Sequence, residues 1–147
     1  PKVIEYNCRF GDPETQVVLP LLETDIMDII EAVWEEKLDT LDIKWSNKSC
    51  ACVVMASGGY PEKYETGKVI SGLDENGQCE GAFVYHAGTK LENGKFLTAG
   101  GRVLGITAYG DTLKEALDTA YKAVDTISFE KAHYRHDIGK KALSALK

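Results

Sequence analysis

The run Cys50-Ala51-Cys52-Val53-Val54-Met55-Ala56, followed by Ser57-Gly58-Gly59-Tyr60-Pro61, is where this chain changes period. An unbroken stretch of small and apolar residues ended by Gly-Gly and proline predicts a buried strand closed by a turn. Upstream the spacing is helical. Ile26, Ile29, Ile30, Val33 and Trp34 recur on one side of a helix capped by Thr24 or Asp25, with Asp28, Glu31, Glu35 and Glu36 on the other. Earlier still, Asp12-Pro13 reads as an N-cap and first-turn proline opening a short helix to about Leu22. Downstream, strands are expected over Gly67–Ile70, Ala82–His86, Lys95–Leu97 and Arg102–Ala108, with hairpin signals such as Glu92-Asn93-Gly94 between them. Asp111 or Thr112 then caps a long helix carrying Leu113, Ala116, Leu117, Ala120, Tyr121, Val124 and Ile127, and a short helix near Ile138 to Leu146 follows. Hairpin-linked antiparallel strands packed with a few helices make an α+β fold.

The 147 residues, 44% hydrophobic, suffice for one core. Seventeen Lys and Arg against 23 Asp and Glu give a net charge of −6, with no basic run, which argues against nucleic acid or an anionic membrane as the main partner. No apolar run approaches the ~20 residues that span a bilayer. A cytoplasmic protein with reduced thiols is expected, since Cys8, Cys50, Cys52 and Cys79 have neither zinc-site spacing nor the density of a disulfide scaffold. Cys50 and Cys52 share one strand face and read as small buried hydrophobes, and Trp34 and Trp45 read as packing residues. The chain opens on Pro1 rather than Met and runs at once into a strand-like segment, so it is expected to be cut from a longer polypeptide whose upstream strands pair with that segment.

That segment, Lys2 to Asn7, carries the sharpest chemical signal. In a strand, Glu5, Asn7 and the following Arg9 project from one side about 7 Å apart. Two oxygen donors and a guanidinium so arranged suit a hard cation shared with nucleotide phosphates, as Mg²⁺ is usually held. A solvated polar strand face is the alternative.

Extended to Glu5-Tyr6-Asn7-Cys8-Arg9-Phe10-Gly11-Asp12-Pro13-Glu14-Thr15-Gln16, the stretch resembles the metal-binding signature that closes the ATP-grasp domain in the phosphoribosylamine–glycine ligase family. Ala51 to Pro61, His86-Ala87-Gly88-Thr89, Gly100-Gly101-Arg102-Val103 and Tyr134-Arg135-His136-Asp137-Ile138-Gly139 resemble further blocks of that family in the same order, so the likeness covers essentially the whole chain. The resemblance implies residues 1–24 as the end of an ATP-grasp domain, with its closing strand, and 25–147 as the C-terminal domain. It implies an ATP-dependent ligase of purine biosynthesis that joins glycine to 5-phosphoribosylamine, with the missing N-terminal part of the same enzyme as partner and the isolated piece inactive.

By the same resemblance Glu5 and Asn7 hold Mg²⁺ or Mn²⁺ against ATP, Arg9 is the catalytic cation offsetting phosphoryl charge, and Asp12 orients the glycine ammonium when it is not simply an N-cap. Arg135, close to the start of the terminal helix, is the candidate ligand for the substrate phosphate, with an ion pair to Asp137 as the alternative. His86, Thr89, Gly101 and Arg102 are expected to line the phosphoribosyl pocket, although Gly-Gly also marks turns and His86 also fits a hydrogen-bonded structural histidine. Two other readings stand beside this one: another ATP-grasp or biotin-carboxylase-like carboxylate ligase, and a non-catalytic module that binds a phosphorylated metabolite.

Overall fold

The computed structural model describes residues 1–145. Helix α1 (Thr15–Val18) runs into a 3-10 turn (Leu19–Leu21) and is followed by α2 (Ile26–Trp34). Then come β1 (Ser49–Ala56), β2 (Phe83–His86), β3 (Thr89–Glu92), β4 (Lys95–Thr98), β5 (Arg102–Gly110), α3 (Leu113–Val124) and α4 (Lys140–Ala145). The expected end of the last helix at Leu146 lies outside the described residues. The strands form an antiparallel three-stranded sheet, β1-β5-β2, and a two-stranded hairpin, β3-β4. This is the α+β arrangement the sequence predicts.

The core lies between one face of the larger sheet and α3. Val53 opposes Ile106 and Met55 opposes Leu104, and Val84 of β2 lies across from Ile106 on the other side. Against this face α3 buries Ala116, Leu117, Ala120, Ala123 and Val124. The helix starts where the sequence places it: Thr112 accepts from the Glu115 amide and the Glu115 carboxylate reaches back to the Thr112 amide, a capping box. Asn93 and Gly94 both adopt positive φ, the type I′ geometry that an Asn-Gly hairpin demands, and so join β3 to β4.

The second face of the sheet, bearing Cys50, Cys52, Thr107 and Tyr109, is where α1 packs. Pro20 explains both the end of that helix and its docking. Having no N–H, Pro20 cannot bond the Gln16 carbonyl, and the fully buried Thr107 hydroxyl donates to that carbonyl instead at 3.1 Å. The Tyr109 hydroxyl donates to the Pro20 carbonyl at 3.1 Å. β5 is therefore covered on both faces, which is why Val103 through Ala108 are all buried.

Several sequence expectations are corrected. Lys2 to Asn7 forms no strand and pairs with no described strand, and Val3, Ile4 and Tyr6 are exposed, because a lone terminal segment has no neighbour for its backbone groups. Asp12 does not cap α1, whose N-cap is Glu14. Its carboxylate is engaged elsewhere, as described below. Gly67–Ile70 forms only an isolated bridge, Val69 to Leu97, although the Gly67 and Ile70 amides still donate to β4. Trp34 is 88% exposed because α2 buries no residue, and Trp45, beyond that helix and bridged to Leu22, is half exposed.

Candidate functional site

At the amino end, the side chains of Glu5, Asn7 and Arg9 meet although no strand presents them. Asn7 Nδ2 donates to Glu5 Oε1 at 3.1 Å, and Arg9 donates to Asn7 Oδ1 at 2.7 Å and to the Phe10 carbonyl at 3.1 Å. All are exposed. Among the described residues no group of three or more His, Cys, Asp or Glu gathers as a metal cage. One carboxylate and one amide oxygen fit a Mg²⁺ or Mn²⁺ ion whose remaining ligands come from phosphate and water.

Asp12 follows this cluster and leads to the sheet. Its Oδ1 accepts from Gln16 Nε2 at 2.8 Å, while Arg102 Nη1 lies 3.1 Å from its carbonyl and 3.3 Å from Oδ2. Gln16 Oε1 is buried with no hydrogen-bond partner among the described residues. Asp12 and Gln16 border a groove of about 510 Å³ that is shared with Phe10, Tyr85 and His86.

Arg102 borders a second, more apolar cleft of about 380 Å³. Cys52, Val54 and Ala56 of β1 help line it, with Pro13, Tyr60 and Tyr134 around them and both Arg102 and Arg135 at its border. Arg135 forms a two-pronged pair with Asp137, both distances 2.9 Å, and its carbonyl accepts from the Tyr121 hydroxyl at 2.7 Å. Hydrogen bonding to Asp137 pushes the Arg135 pKa up, and the same contact holds the Asp137 carboxyl below its usual value. The structure thus brings two of the anticipated cations to one cleft. Sequence reasoning passed over Tyr60 and Tyr134, although the Gly-Gly-Tyr-Pro turn and the Tyr134 to Gly139 block both contained them.

The other anticipated residues make contacts within the fold. His86 Nδ1 lies 2.9 Å from the Thr89 hydroxyl and Nε2 lies 2.9 Å from the Gly77 carbonyl, while the ring packs on Phe96. His86 and Thr89 are therefore joined to each other. Gly101 lies behind Tyr60, whose ring would collide with a Cβ there, so the glycine makes room for an aromatic ring. On the neighbouring strand, burial pushes the Cys50 thiol up to about 11, with Cys52 adding to it, and also raises Cys52, as befits inert packing thiols.

The family model described as "Phosphoribosylglycinamide synthetase, C domain" matches residues 50–141. The chain is 54% identical over 138 residues to "Phosphoribosylamine--glycine ligase" of Caldanaerobacter subterraneus subsp. tengcongensis, covering 94% of this chain and 32% of that protein. It is 52% identical to the Synechocystis protein of the same name, over 97% of this chain and 34% of that one. With "Bifunctional purine biosynthetic protein purD" of Dictyostelium discoideum, identity is 51% over 98% of this chain and 18% of that one. The crystal structure of phosphoribosylamine–glycine ligase from Thermotoga maritima superimposes with a TM-score of 0.72 at 34% identity, over 93% of this chain and 33% of that chain. Fold and likeness together define the class, an α+β domain of the kind that family model describes. The chain belongs to the phosphoribosylglycinamide synthetase C-domain family. It spans about a third of the length of the single-function relatives it matches.

Proposed function

We propose that this chain is the C-terminal third of an ATP-dependent ligase that joins glycine to 5-phosphoribosylamine in purine biosynthesis. The observation that carries this reading is the 54% identity, over 94% of the chain, to a protein named for that activity. In the reaction, the glycine carboxylate attacks the γ-phosphate of ATP, forming glycyl phosphate and releasing ADP. The amine of phosphoribosylamine then attacks the acyl carbon, expelling phosphate and leaving glycinamide ribonucleotide.

Glu5 and Asn7 hold Mg²⁺ or Mn²⁺, which when bound neutralises phosphate charge. Arg9, already bonded to Asn7 Oδ1, places a permanent positive charge beside that cluster, where phosphoryl transfer develops negative charge. Arg135 binds the substrate 5-phosphate at the mouth of the cleft, trading part of its pair with Asp137 for the anion. Its location close to α4 adds little, because the Ile138 amide is taken by the Tyr121 hydroxyl and the Lys140 amide by the Asp137 carbonyl. His86, Thr89 and Gly101 shape the surroundings of the substrate rather than touch its reacting atoms.

The partner is the upstream two-thirds present in the relatives, which supplies the ATP-grasp nucleotide cradle, and the site of action is the cytoplasm. Among the described residues no helix is long and apolar enough to cross a membrane. The test is Mg²⁺-dependent ATP binding by the full-length polypeptide. Glu5→Ala is expected to weaken it about tenfold or more and to abolish glycine-dependent phosphate release. Unchanged nucleotide binding would instead favour a phospho-metabolite module.

A further inference from the structure

We propose that Arg102 is a positioning residue: its guanidinium fastens the loop that follows Glu5, Asn7 and Arg9 to the start of β5, fixing the oxygen-donor cluster relative to the arginine-lined cleft. Its kinetic consequence rests on the ligase reading above, but the structural claim does not.

Three side chains of β5 grip the segment from Asp12 to Pro20, and each takes a main-chain carbonyl. Arg102 holds Asp12, Thr107 holds Gln16 and Tyr109 holds Pro20, each at 3.1 Å. Contacts to carbonyls fix where the backbone runs, whatever side chains it bears. Thr107 and Tyr109 secure the helical part, whereas Arg102 secures the turn next to Arg9. Arg102 also meets the Asp12 carboxylate at 3.3 Å, and the other oxygen of that carboxylate is held by Gln16 at 2.8 Å, so Asp12 is bound from both sides.

From Glu5 the contacts run through Asn7 and Arg9 to the Phe10 carbonyl, two residues short of Asp12. The path from the oxygen donors thus runs through side-chain hydrogen bonds to the Phe10 carbonyl and resumes at Asp12, where Arg102 holds it to β5. Removing Arg102 loosens this path. It also takes from Asp12 the guanidinium that pairs with its carboxylate. Arg102 holds a main-chain carbonyl as well as a carboxylate, whereas Arg135 pairs with the exposed Asp137 carboxylate, which a phosphate can replace.

Two measurements test the proposal. In the 147-residue chain, amide hydrogen exchange is followed at Thr15, which donates to the Gly11 carbonyl in the turn that Arg102 holds. Arg102→Ala is expected to speed exchange there about fivefold or more while β1 and β5 amides stay protected. Unchanged exchange overturns the strut, and Arg102→Gln serves in its place if the alanine variant does not fold. In the full-length polypeptide, Arg102→Ala is expected to lower kcat about tenfold and raise the Mg²⁺ concentration needed for half-activation, with KM for the phosphoribosyl amine within about twofold. Adding Asp12→Asn is expected to cost little beyond the worse single variant. A KM raised about tenfold at an intact kcat makes Arg102 a substrate ligand and overturns the proposal. If the wild-type polypeptide shows no ligase activity, the functional reading fails and the exchange measurement alone decides the strut.

Discussion

Arg135 and Asp137 are both largely exposed, and their two-pronged contact adds little to stability because water and salt screen it. The contact matters as a holding state. With Asp137 drawn below its usual value, the pair is intact at neutral pH. Whatever stability it contributes is present above the ordinary carboxylate range and is lost as pH falls through the lowered folded value. A substrate phosphate carries more charge than a carboxylate and can displace Asp137 without stripping Arg135 from any buried partner. Arg135→Ala is therefore expected to shift the melting temperature of the chain by no more than about 2 °C. In the full-length polypeptide, steady-state kinetics should show KM for the phosphoribosyl amine rising about tenfold, with kcat less affected. An unchanged KM would return Arg135 to the role of a surface ion pair. The residue type and its neighbours made this candidate legible in the sequence. Asp12 was not legible in the same way, because its decisive partner lies 90 residues away and no local pattern announces it.

At the scale of elements, α2 and α3 read alike in sequence and behave differently in the fold. Both show apolar residues at helical spacing, and both carry a polar cap, Asp25 and Thr112. Yet α3 buries five side chains while α2 buries none, leaving Met27, Ile30, Val33 and Trp34 more than half exposed. Periodicity reports that a helix has an apolar face, but not what covers it. β1, β2, β4 and β5 were readable from their own composition and the turns that bound them, whereas β3 was not among the expected strands and Lys2 to Asn7 needed neighbours that the described residues do not provide. If the rest of a full-length polypeptide docks on α2, that face is buried there and wet in the 147-residue chain. Val33→Glu is accordingly expected to leave the melting temperature of the 147-residue chain within about 2 °C of wild type, since the site is already wet. In the full-length polypeptide the same change buries a charge and should cost about 2 to 4 kcal/mol, measured by denaturant unfolding. Equal, small effects in both would mean that nothing docks on this face.

For the molecule as a whole, the question is where the C-terminal unit begins. The sequence suggests a division near residue 24, and the family model begins at residue 50. Packing adds a third consideration, because the stretch from Asp12 to Pro20 is bonded to β5 and shields Thr107, which has no exposure at all. Residues 1–9 lie outside this packing, largely exposed and unpaired with any described strand. Deleting residues 1–9 should therefore change the melting temperature by no more than about 2 °C, since neither buried area nor backbone pairing is lost. Deleting residues 1–22 removes the acceptors of Arg102, Thr107 and Tyr109 together and wets one face of the central strand. At about 1 kcal/mol per lost hydrogen bond plus the uncovered apolar area, the cost is on the order of 3 to 5 kcal/mol, or a fall of roughly 10 °C or more. Thermal unfolding of the two truncations side by side measures the difference. If the longer deletion melts where the shorter one does, the segment from Asp12 to Pro20 merely rests on the sheet, and the C-terminal unit begins after it. If the longer deletion alone is destabilised, the loop beside the oxygen-donor cluster belongs to the C-terminal fold, and this unit holds the cluster at a fixed distance from the two-arginine cleft.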